Sequence, residues 1–200
     1  MAILGITGGI ASGKSAFCRL LLERVEADSF DADACARELL DEDDAVRDQV
    51  LKKIHPEAYD RDGRANRTLL RELIYHDAAK KRTLESILHP VIRQRWSRQA
   101  LEASAAGRLF VVDLPLLFET NAESLFDRIV TVACSLEVQL ARLFTHRGFA
   151  PEISRKIIAT QMPLDAKIAR SHHVVWNDGS LETLTAQTDI FSRYLHVRSG

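Results

Sequence analysis

The sequence predicts an α/β protein in which five parallel strands form one sheet with helices on both faces. Two observations support this prediction. Short apolar runs alternate with long helical stretches along the 200 residues, and a glycine-rich loop follows the first run. Two long stretches without a strand signal indicate helical insertions. We expect a core of residues 1–32, 105–135 and 168–200 that contains the sheet and the glycine-rich loop, a helical domain of residues 33–104, and a lid of residues 136–167.

Five short segments are the predicted strands. Parallel strands that are covered on both faces read as continuous apolar runs rather than as alternating patterns. The segments are Ala2–Ile6, a weak one near Val25–Phe30, Leu109–Val112, Arg128–Ala133 and His173–Trp176. In such a sheet, ligands bind beyond the carboxyl ends of the strands, which is where the glycine-rich loop lies.

The loop after the first strand matches the phosphate-binding pattern G-x-x-x-x-G-K-[ST] without a gap. Its residues are Gly8, Gly9, Ile10, Ala11, Ser12, Gly13, Lys14 and Ser15. In this motif backbone N–H groups bind the phosphates of ATP, the lysine reaches the terminal phosphates, and the hydroxyl reaches Mg²⁺. Phe17, Leu20 and Leu21 then recur at helical spacing, so a helix N-terminus also faces the phosphates. The alternative is a plain glycine turn. The motif predicts a P-loop NTPase fold of the nucleotide-kinase type, with strand order 2-3-1-4-5.

The insertion at residues 33–104 reads as consecutive helices with charged outer faces. One apolar stripe consists of Val46, Val50 and Ile54. Asn66 and Asp77 fit helix N-caps, and Pro90 fits the first turn of another helix. Helices inserted beside a phosphate loop commonly shape the pocket of the second substrate.

The second insertion is basic, with Ser135 as a plausible N-cap, Pro151 opening its second helix and Gly148 as a hinge. Arg142 and Arg147 are candidates for lid cations that stabilise the transferred phosphoryl group. The alternative is two arginines on a solvated helix face.

Three aspartates follow predicted strands. Asp31 and Asp33 come after the second strand, and two residues apart they would share one side of an extended segment. One of them could accept the proton of the acceptor hydroxyl, and either could instead cap the next helix. Asp113 ends the third strand, where it could hold the water shell of Mg²⁺ or cap a following helix.

The composition, 46% hydrophobic and 28% charged, indicates an ordinary soluble globular chain. A formal net charge of −1 favours neither nucleic acid nor a membrane surface as partner, and no apolar run is long enough to span a membrane or form a signal peptide. Cys18, Cys35 and Cys134 lack C-x-x-C spacing, which favours reduced packing thiols and a cytoplasmic location. We expect a monomer or weak homo-oligomer.

The neighbours His172 and His173 would point to opposite faces of a strand and would not share a metal.

In order, the chain contains "GITGGIASGKS", "FDADACARELL", "LHPVI", "VVDLPLLFE", "QLARLFTHRGF", "ATQMP" and "VVWNDG". This ordered set resembles the dephospho-coenzyme A kinase family, and the resemblance covers nearly the whole chain. It implies ATP-dependent phosphorylation of the ribose 3′-hydroxyl of dephospho-coenzyme A, the last step of coenzyme A biosynthesis, with Mg²⁺ as cofactor.

The resemblance also implies roles for individual residues. Asp33 would be the base near the 3′-hydroxyl, Arg142 and Arg147 the lid cations, and residues 33–104 the coenzyme A domain. Asn177 and Gly179 would form the turn near adenine. The acceptor side would be lined by His89, Pro90, Leu116 and Leu117.

Two positions depart from the family pattern. Ala11 stands where many relatives have glycine, which is tolerable if its backbone stays outside the left-handed region. His172 stands where relatives often have an acid, which leaves any contact of that acid in doubt. Two rival interpretations are a kinase for another small molecule and a nucleotide-dependent switch, but the chain has no N-K-x-D segment for guanine.

Overall fold

The computed structural model describes residues 3–197 and contains one five-stranded parallel sheet. The strands are β1 (Ile3–Gly8), β2 (Ala27–Asp31), β3 (Leu109–Asp113), β4 (Arg128–Ala133) and β5 (His173–Trp176). Their order is β2-β3-β1-β4-β5, so the predicted order is confirmed. In the central strand, Ile6 lies beside Asp113 of β3 and Val130 of β4.

The helices of the described chain follow the expected alternation. They are α1 (Lys14–Leu22), α2 (Ala32–Glu42), α3 (Asp44–Lys53), α4 (Arg67–His76), α5 (Ala78–Ala105), α6 (Leu136–Arg147), α7 (Pro151–Ile158), α8 (Leu164–Ala169) and α9 (Leu181–Val197). The predicted caps are confirmed: Asn66 and Ser135 accept backbone N–H groups at the starts of α4 and α6, and Asp77 does so at the start of α5. Pro151 opens α7 as predicted.

The core around the sheet is formed by β1, β3 and β4 together with α1 and α9. Leu4, Ile6 and Val130 are fully buried in the sheet. Phe17 of α1 packs against Phe191 of α9, with ring centroids 5.8 Å apart. This packing fixes the start of α1, and with it the loop that precedes the helix.

The described chain divides into two compact units. One is Asp31–Gln99, and the other combines the described residues before and after it. The helical unit has its own core, which includes the predicted stripe of Val46, Val50 and Ile54 and the almost fully buried Trp96. Residues 136–167 belong to the same unit as the sheet. No helix within residues 3–197 has the length and apolar character that crossing a membrane requires.

The prediction for Pro90 is wrong, because this residue lies in the interior of α5 instead of its first turn. Proline removes one backbone N–H and disfavours the helical conformation of the preceding residue, so a break was expected here. The buried residues Leu84, Leu88 and Ile92 continue along one face of α5 across position 90. Burial of this continuous face outweighs the local preference.

Candidate nucleotide-binding site

The loop between β1 and α1 presents free backbone N–H groups at the N-terminus of α1. The N–H of Ser12 bonds to the carbonyl of Gly9, at 3.2 Å, and the N–H of Ile10 bonds to the side chain of Gln161. Within residues 3–197, the N–H groups of Ala11, Gly13, Lys14 and Ser15 have no hydrogen-bond partner. These donors and the positive end of the α1 dipole form an anion site suited to a polyphosphate.

Gly13 is required at the loop–helix junction. Its φ is +90°, a conformation that side chains disfavour, and a Cβ at this position would collide with the amide nitrogen of Asn177. Asn177 is 5% exposed and donates from Nδ2 to the carbonyl of Ser12, at 2.8 Å. The turn after β5 is therefore packed directly against the loop between β1 and α1.

Ala11 was expected to stay outside the left-handed region of backbone conformation, and it does not. Its φ is +58°, which places it in the left-handed region. An alanine in this region costs about 1–2 kcal/mol relative to its favoured conformations. The loop keeps this strain because hydrogen bonds from other elements hold the residues on both sides of Ala11.

Lys14 and Asp113 are brought together as an ion pair between Nζ and Oδ1, and both side chains are nearly buried. Cys18, one turn along α1, donates from Sγ to Asp113 Oδ2 at 3.4 Å. The chain after Asp113 forms turns instead of a helix, so Asp113 is not a helix cap. It lies at the carboxyl end of β3, beside β1 and the loop.

The site fits a magnesium ion that is held mainly by phosphates and water. The Ser15 hydroxyl at the start of α1 and the Asp113 carboxylate are oxygen donors of the type that Mg²⁺ prefers. No group of three or more His, Cys, Asp or Glu side chains that could hold a metal ion occurs among the described residues. A magnesium ion would therefore depend on the nucleotide for most of its ligands.

The two candidate lid arginines have different environments. Arg142 donates from Nη1 to the carbonyls of Ala11 and Ser12, at 3.3 and 3.2 Å, and from Nη2 to the carbonyl of Asn177 at 2.9 Å. It thus joins α6, the phosphate loop and the turn after β5. Arg147, in the last turn of α6, is exposed and has no hydrogen bond or ion pair with the described residues. Gly148 has a φ of +65° and ends α6.

The two aspartates of "DAD" are also distinct. Asp31 caps α2 by accepting the N–H of Ala34 at 2.9 Å. Asp33 lies in the first turn of α2, is exposed, and has no hydrogen bond or ion pair within the described residues. The expectation that they share one side of an extended segment is wrong, because the helix begins at Ala32 and changes the period.

The predicted acceptor-side residues lie in two places. His89 is half-buried in α5, and burial lowers its pKa, with the Glu85 carboxylate partly opposing this shift; its neighbour Pro90 is exposed. Leu116 is partly exposed, whereas Leu117 is fully buried: a Cβ on Gly5 of β1 would come within 2.7 Å of Leu117 Cδ1. Leu117 therefore packs beneath the sheet, and only Leu116 of this pair offers a surface.

The turn after β5 is tied to α6. The Asp178 carboxylate accepts the N–H of Ser135 at 2.7 Å and the indole N–H of Trp176 at 3.0 Å. The Ser135 N–H, followed by the indole N–H, lowers the pKa of Asp178. Gly179 is exposed, and the Trp176 side chain is 47% exposed.

The pairing between β4 and β5 continues one residue ahead of β5, at His172. Its Nδ1 accepts the N–H of Ile129 at 3.0 Å, and its own N–H donates to the Ile129 carbonyl at 3.0 Å. His173 instead packs edge-on against Tyr194 of α9, with ring centroids 4.4 Å apart. Both the side chain and the backbone of His172 therefore bond to the backbone of β4.

Sequence reasoning missed four residues around the site. Lys167 is fully buried, donates to the Pro115 carbonyl at 2.9 Å and pairs with Glu119 at 2.8 Å. Gln139 and Gln161 bond to Ile10. Glu119, Gln139 and Gln161 belong to the blocks "VVDLPLLFE", "QLARLFTHRGF" and "ATQMP", which was the available signal, whereas Lys167 carried none.

Comparison with known proteins agrees with this geometry. The sequence profile of the dephospho-CoA kinase family matches residues 2–183. The chain is similar to a dephospho-CoA kinase of Acinetobacter baylyi (38% identical over 187 residues, 94% of each chain) and to one of Bacillus cereus strain ATCC 10987 (33% identical over 196 residues, 98% of each chain). The crystal structure of TT1252 from Thermus thermophilus superposes with a TM-score of 0.75 at 31% identity, covering 96% of this chain and 97% of that one.

Proposed function

Because this chain belongs to the dephospho-CoA kinase family, we propose that it transfers the γ-phosphoryl group of ATP to the ribose 3′-hydroxyl of dephospho-coenzyme A, giving coenzyme A and ADP. The observation within this chain that supports the proposal best is the anion site at the start of α1. Free N–H groups, a helix N-terminus and the Lys14 ammonium converge there.

On the nucleotide side, the residues supply positioning and positive charge. Phosphoryl transfer needs in-line geometry and cations near the equatorial oxygens of the moving group, and little covalent help from the protein. Lys14 leaves Asp113 to neutralise the β- and γ-phosphates. Ser15 and, through water, Asp113 would hold Mg²⁺, which neutralises phosphate charge when bound.

On the acceptor side, Asp33 is the proposed base. The exposed Asp33 carboxylate accepts the proton of the 3′-hydroxyl while that oxygen bonds to the γ-phosphorus and the bond to the leaving ADP oxygen breaks. Asp31 is a less suitable base because its carboxylate already accepts a backbone N–H. We assign residues 33–104, with His89, Pro90 and Leu116, to acceptor binding.

Arg147 is the better candidate for a cation delivered by residues 136–167. Its guanidinium is exposed at the end of α6, next to Gly148, and has no partner in the described chain. Arg142 serves instead to hold the loop against the Asn177 turn. An exposed arginine such as Arg147 can stabilise the transition state and exclude water on closure.

The test is an acceptor panel. Purified protein is mixed with ATP, Mg²⁺ and, separately, dephospho-coenzyme A, adenosine or nucleoside monophosphates, and ADP release is measured. We expect ADP only with dephospho-coenzyme A, with phosphorus NMR locating the new phosphate on the 3′-oxygen. ADP release that needs no acceptor, or that prefers another acceptor, would contradict the proposal.

A matched pair of variants links the activity to the anion site. Lys14→Ala should lower kcat by about 100-fold or more, because charge at the β- and γ-phosphates is lost. Arg193→Ala removes an exposed cation of α9 that, within residues 3–197, bonds only to its own helix, and it should leave kcat unchanged. Equal activity of the two variants would rule out this role for Lys14.

The cellular setting belongs to the same proposal. We place the protein in the cytoplasm as a monomer or weak homo-oligomer. The three cysteines support a reducing compartment, since all are buried and none forms a disulfide within residues 3–197. Burial raises the pKa of Cys134 to about 11, with the neighbouring Arg142 partly opposing this shift, so the thiol stays protonated near neutral pH.

A further inference from the structure

Both polar backbone groups of Ile10 are bound by glutamine side chains from outside the loop. Gln139 of α6 donates from Nε2 to the Ile10 carbonyl at 2.8 Å. Gln161, in the segment between α7 and α8, accepts the Ile10 N–H on Oε1 at 2.9 Å. A carbonyl can only accept and an N–H can only donate, so this pairing fixes which end of each amide faces the loop.

The contact with Gln139 is built into the loop. Gln139 is 4% exposed, and a Cβ on Gly9 would come within 2.6 Å of its Nε2. A side chain at the second loop position would therefore displace the Gln139 amide from the Ile10 carbonyl. A buried glutamine that gives its donor to one backbone carbonyl is costly to misplace.

These contacts set the direction of the peptide groups that follow. The carbonyls of Ile10, Ala11 and Ser12 are all held by side chains, namely those of Gln139, Arg142 and Asn177. With these carbonyls held, the chain passes through the left-handed conformation at Ala11 and leaves four N–H groups free. A strained loop residue persists only where its surroundings fix it in this way.

Gln161 is itself anchored on the side away from the loop. The next residue, Met162, donates its N–H to Glu119 at 3.0 Å, and the same carboxylate oxygen pairs with the buried Lys167 at 2.8 Å. The Gln161 side chain is thus presented by a fixed segment and not by a free loop end.

We propose that Gln139 and Gln161 are positioning residues for phosphoryl transfer, which hold Ile10 from both sides so that the free N–H groups of the loop face the phosphates of ATP. The inference rests on the proposed kinase function, and neither side chain needs to touch the substrates.

The experiment compares Gln139→Leu and Gln161→Leu with the unmodified chain by steady-state kinetics and thermal unfolding. Leucine has a similar size but no hydrogen-bonding group. We expect the KM for ATP to rise about tenfold in each variant and kcat to fall, while the KM for dephospho-coenzyme A stays within about twofold. A merely structural role would lower the unfolding midpoint and leave the KM for ATP unchanged.

Glutamate variants add a second, sharper comparison. Gln161→Glu keeps an acceptor for the Ile10 N–H, whereas Gln139→Glu places a carboxylate against the Ile10 carbonyl and has no donor. Both add the same charge, so Gln161→Glu should keep the lower KM for ATP of the two. If Gln139→Leu fails to fold, the half-buried Gln161 and its two variants decide the matter.

The control is Gln187→Leu. Gln187 of α9 also donates to a backbone carbonyl, that of Trp176 at 2.8 Å, but does not contact the loop. Its loss should change the KM for ATP by less than about twofold. The proposal is overturned if folded Gln161→Leu has the ATP kinetics of Gln187→Leu, or if Gln161→Glu is no better than Gln139→Glu. Failure of the unmodified chain to phosphorylate dephospho-coenzyme A would instead refute the proposed function.

Discussion

Asp31 and Asp33, two residues apart, have different environments. The Asp31 carboxylate is committed to the first turn of α2, where it accepts the N–H of Ala34. Asp33 has no such commitment and remains available to a substrate hydroxyl. A helix that starts between them separates a structural acid from a candidate base.

The corresponding prediction uses two asparagine variants. Asp33→Asn should lower kcat by about 100-fold with little change in ATP affinity, because a neutral amide cannot accept the proton. Asp31→Asn should keep both activity and stability, since asparagine caps a helix as well as aspartate does. The measurement is kcat together with calorimetric binding of ATP; the opposite ranking of the two variants would exchange their roles.

A second residue-scale prediction concerns the strain at Ala11. Ala11→Gly should raise the free energy of unfolding by up to about 1 kcal/mol, because glycine adopts the left-handed conformation without penalty. Ala141→Gly, at an exposed position inside α6, should lower it by about 1 kcal/mol. Urea titrations measure the change in the free energy of unfolding for both variants. A loss of stability in both would refute the strain at position 11.

At the scale of elements, α5 shows a conflict between local preference and burial. The helix runs from Ala78 to Ala105 through Pro90, although the proline leaves the Ser86 carbonyl without its usual helical donor. The buried Leu84, Leu88 and Ile92 stabilise one continuous face and keep the two halves in line.

We therefore expect Pro90→Ala to stabilise the helical unit by about 1–3 kcal/mol, since alanine restores the missing N–H and removes the ring. Gln94→Ala, at an exposed position one turn later, should change stability by less than about 0.5 kcal/mol. Urea denaturation followed by circular dichroism measures both. An unchanged or lowered midpoint for Pro90→Ala would mean that the helix is kinked to suit the proline. A rise in the KM for dephospho-coenzyme A alone would support the acceptor role of this position.

At the scale of the whole molecule, the half-buried His89 makes stability depend on pH. Burial lowers the pKa of His89 below its ordinary value of 6.5. The unfolded chain thus binds this proton at a higher pH than the folded chain does. The free energy of unfolding should therefore fall as the pH drops through 6.5 towards the folded pKa, and should be unaffected by His89 above this window.

Urea midpoints at about pH 7.5 and about pH 5.5 test this dependence, because carboxylates titrate mostly below that range. His89→Gln should show a smaller drop between the two conditions than the unmodified chain. His76→Gln, at an exposed position of α4, serves as the control and should keep the full drop. Identical drops in all three proteins would exclude His89 as a source.

The sequence was sufficient for the framework and insufficient for contacts between distant residues. The runs Arg128–Ala133 and His173–Trp176 were predicted with their observed bounds. The first is buried along most of its length, as an apolar run in a parallel sheet should be, whereas the second is an edge strand with Trp176 exposed. β1 extends two residues past its predicted end, to Gly8, because pairing with Val132 continues where the apolar run stops. Local pattern shows hydrophobicity but does not show where a ladder ends.

The site divides in the same way. The G-x-x-x-x-G-K-[ST] pattern located the free N–H groups and Lys14, whose chemistry is local. The brace formed by Arg142 and the glutamine contacts to Ile10 join residues about 130 to 150 positions apart, so no local pattern could predict them. The burial of Leu117 against the sheet likewise depends on the tertiary fold, so the sequence could not separate it from Leu116.

The two tryptophans of the chain divide between the two compact units. Trp96 is 2% exposed in the helical unit, and Trp176 is 47% exposed beside the Asn177 turn. A water-soluble quencher such as acrylamide will dim the emission of Trp176 and spare that of Trp96. Intrinsic fluorescence can therefore follow each unit separately in one unlabelled sample.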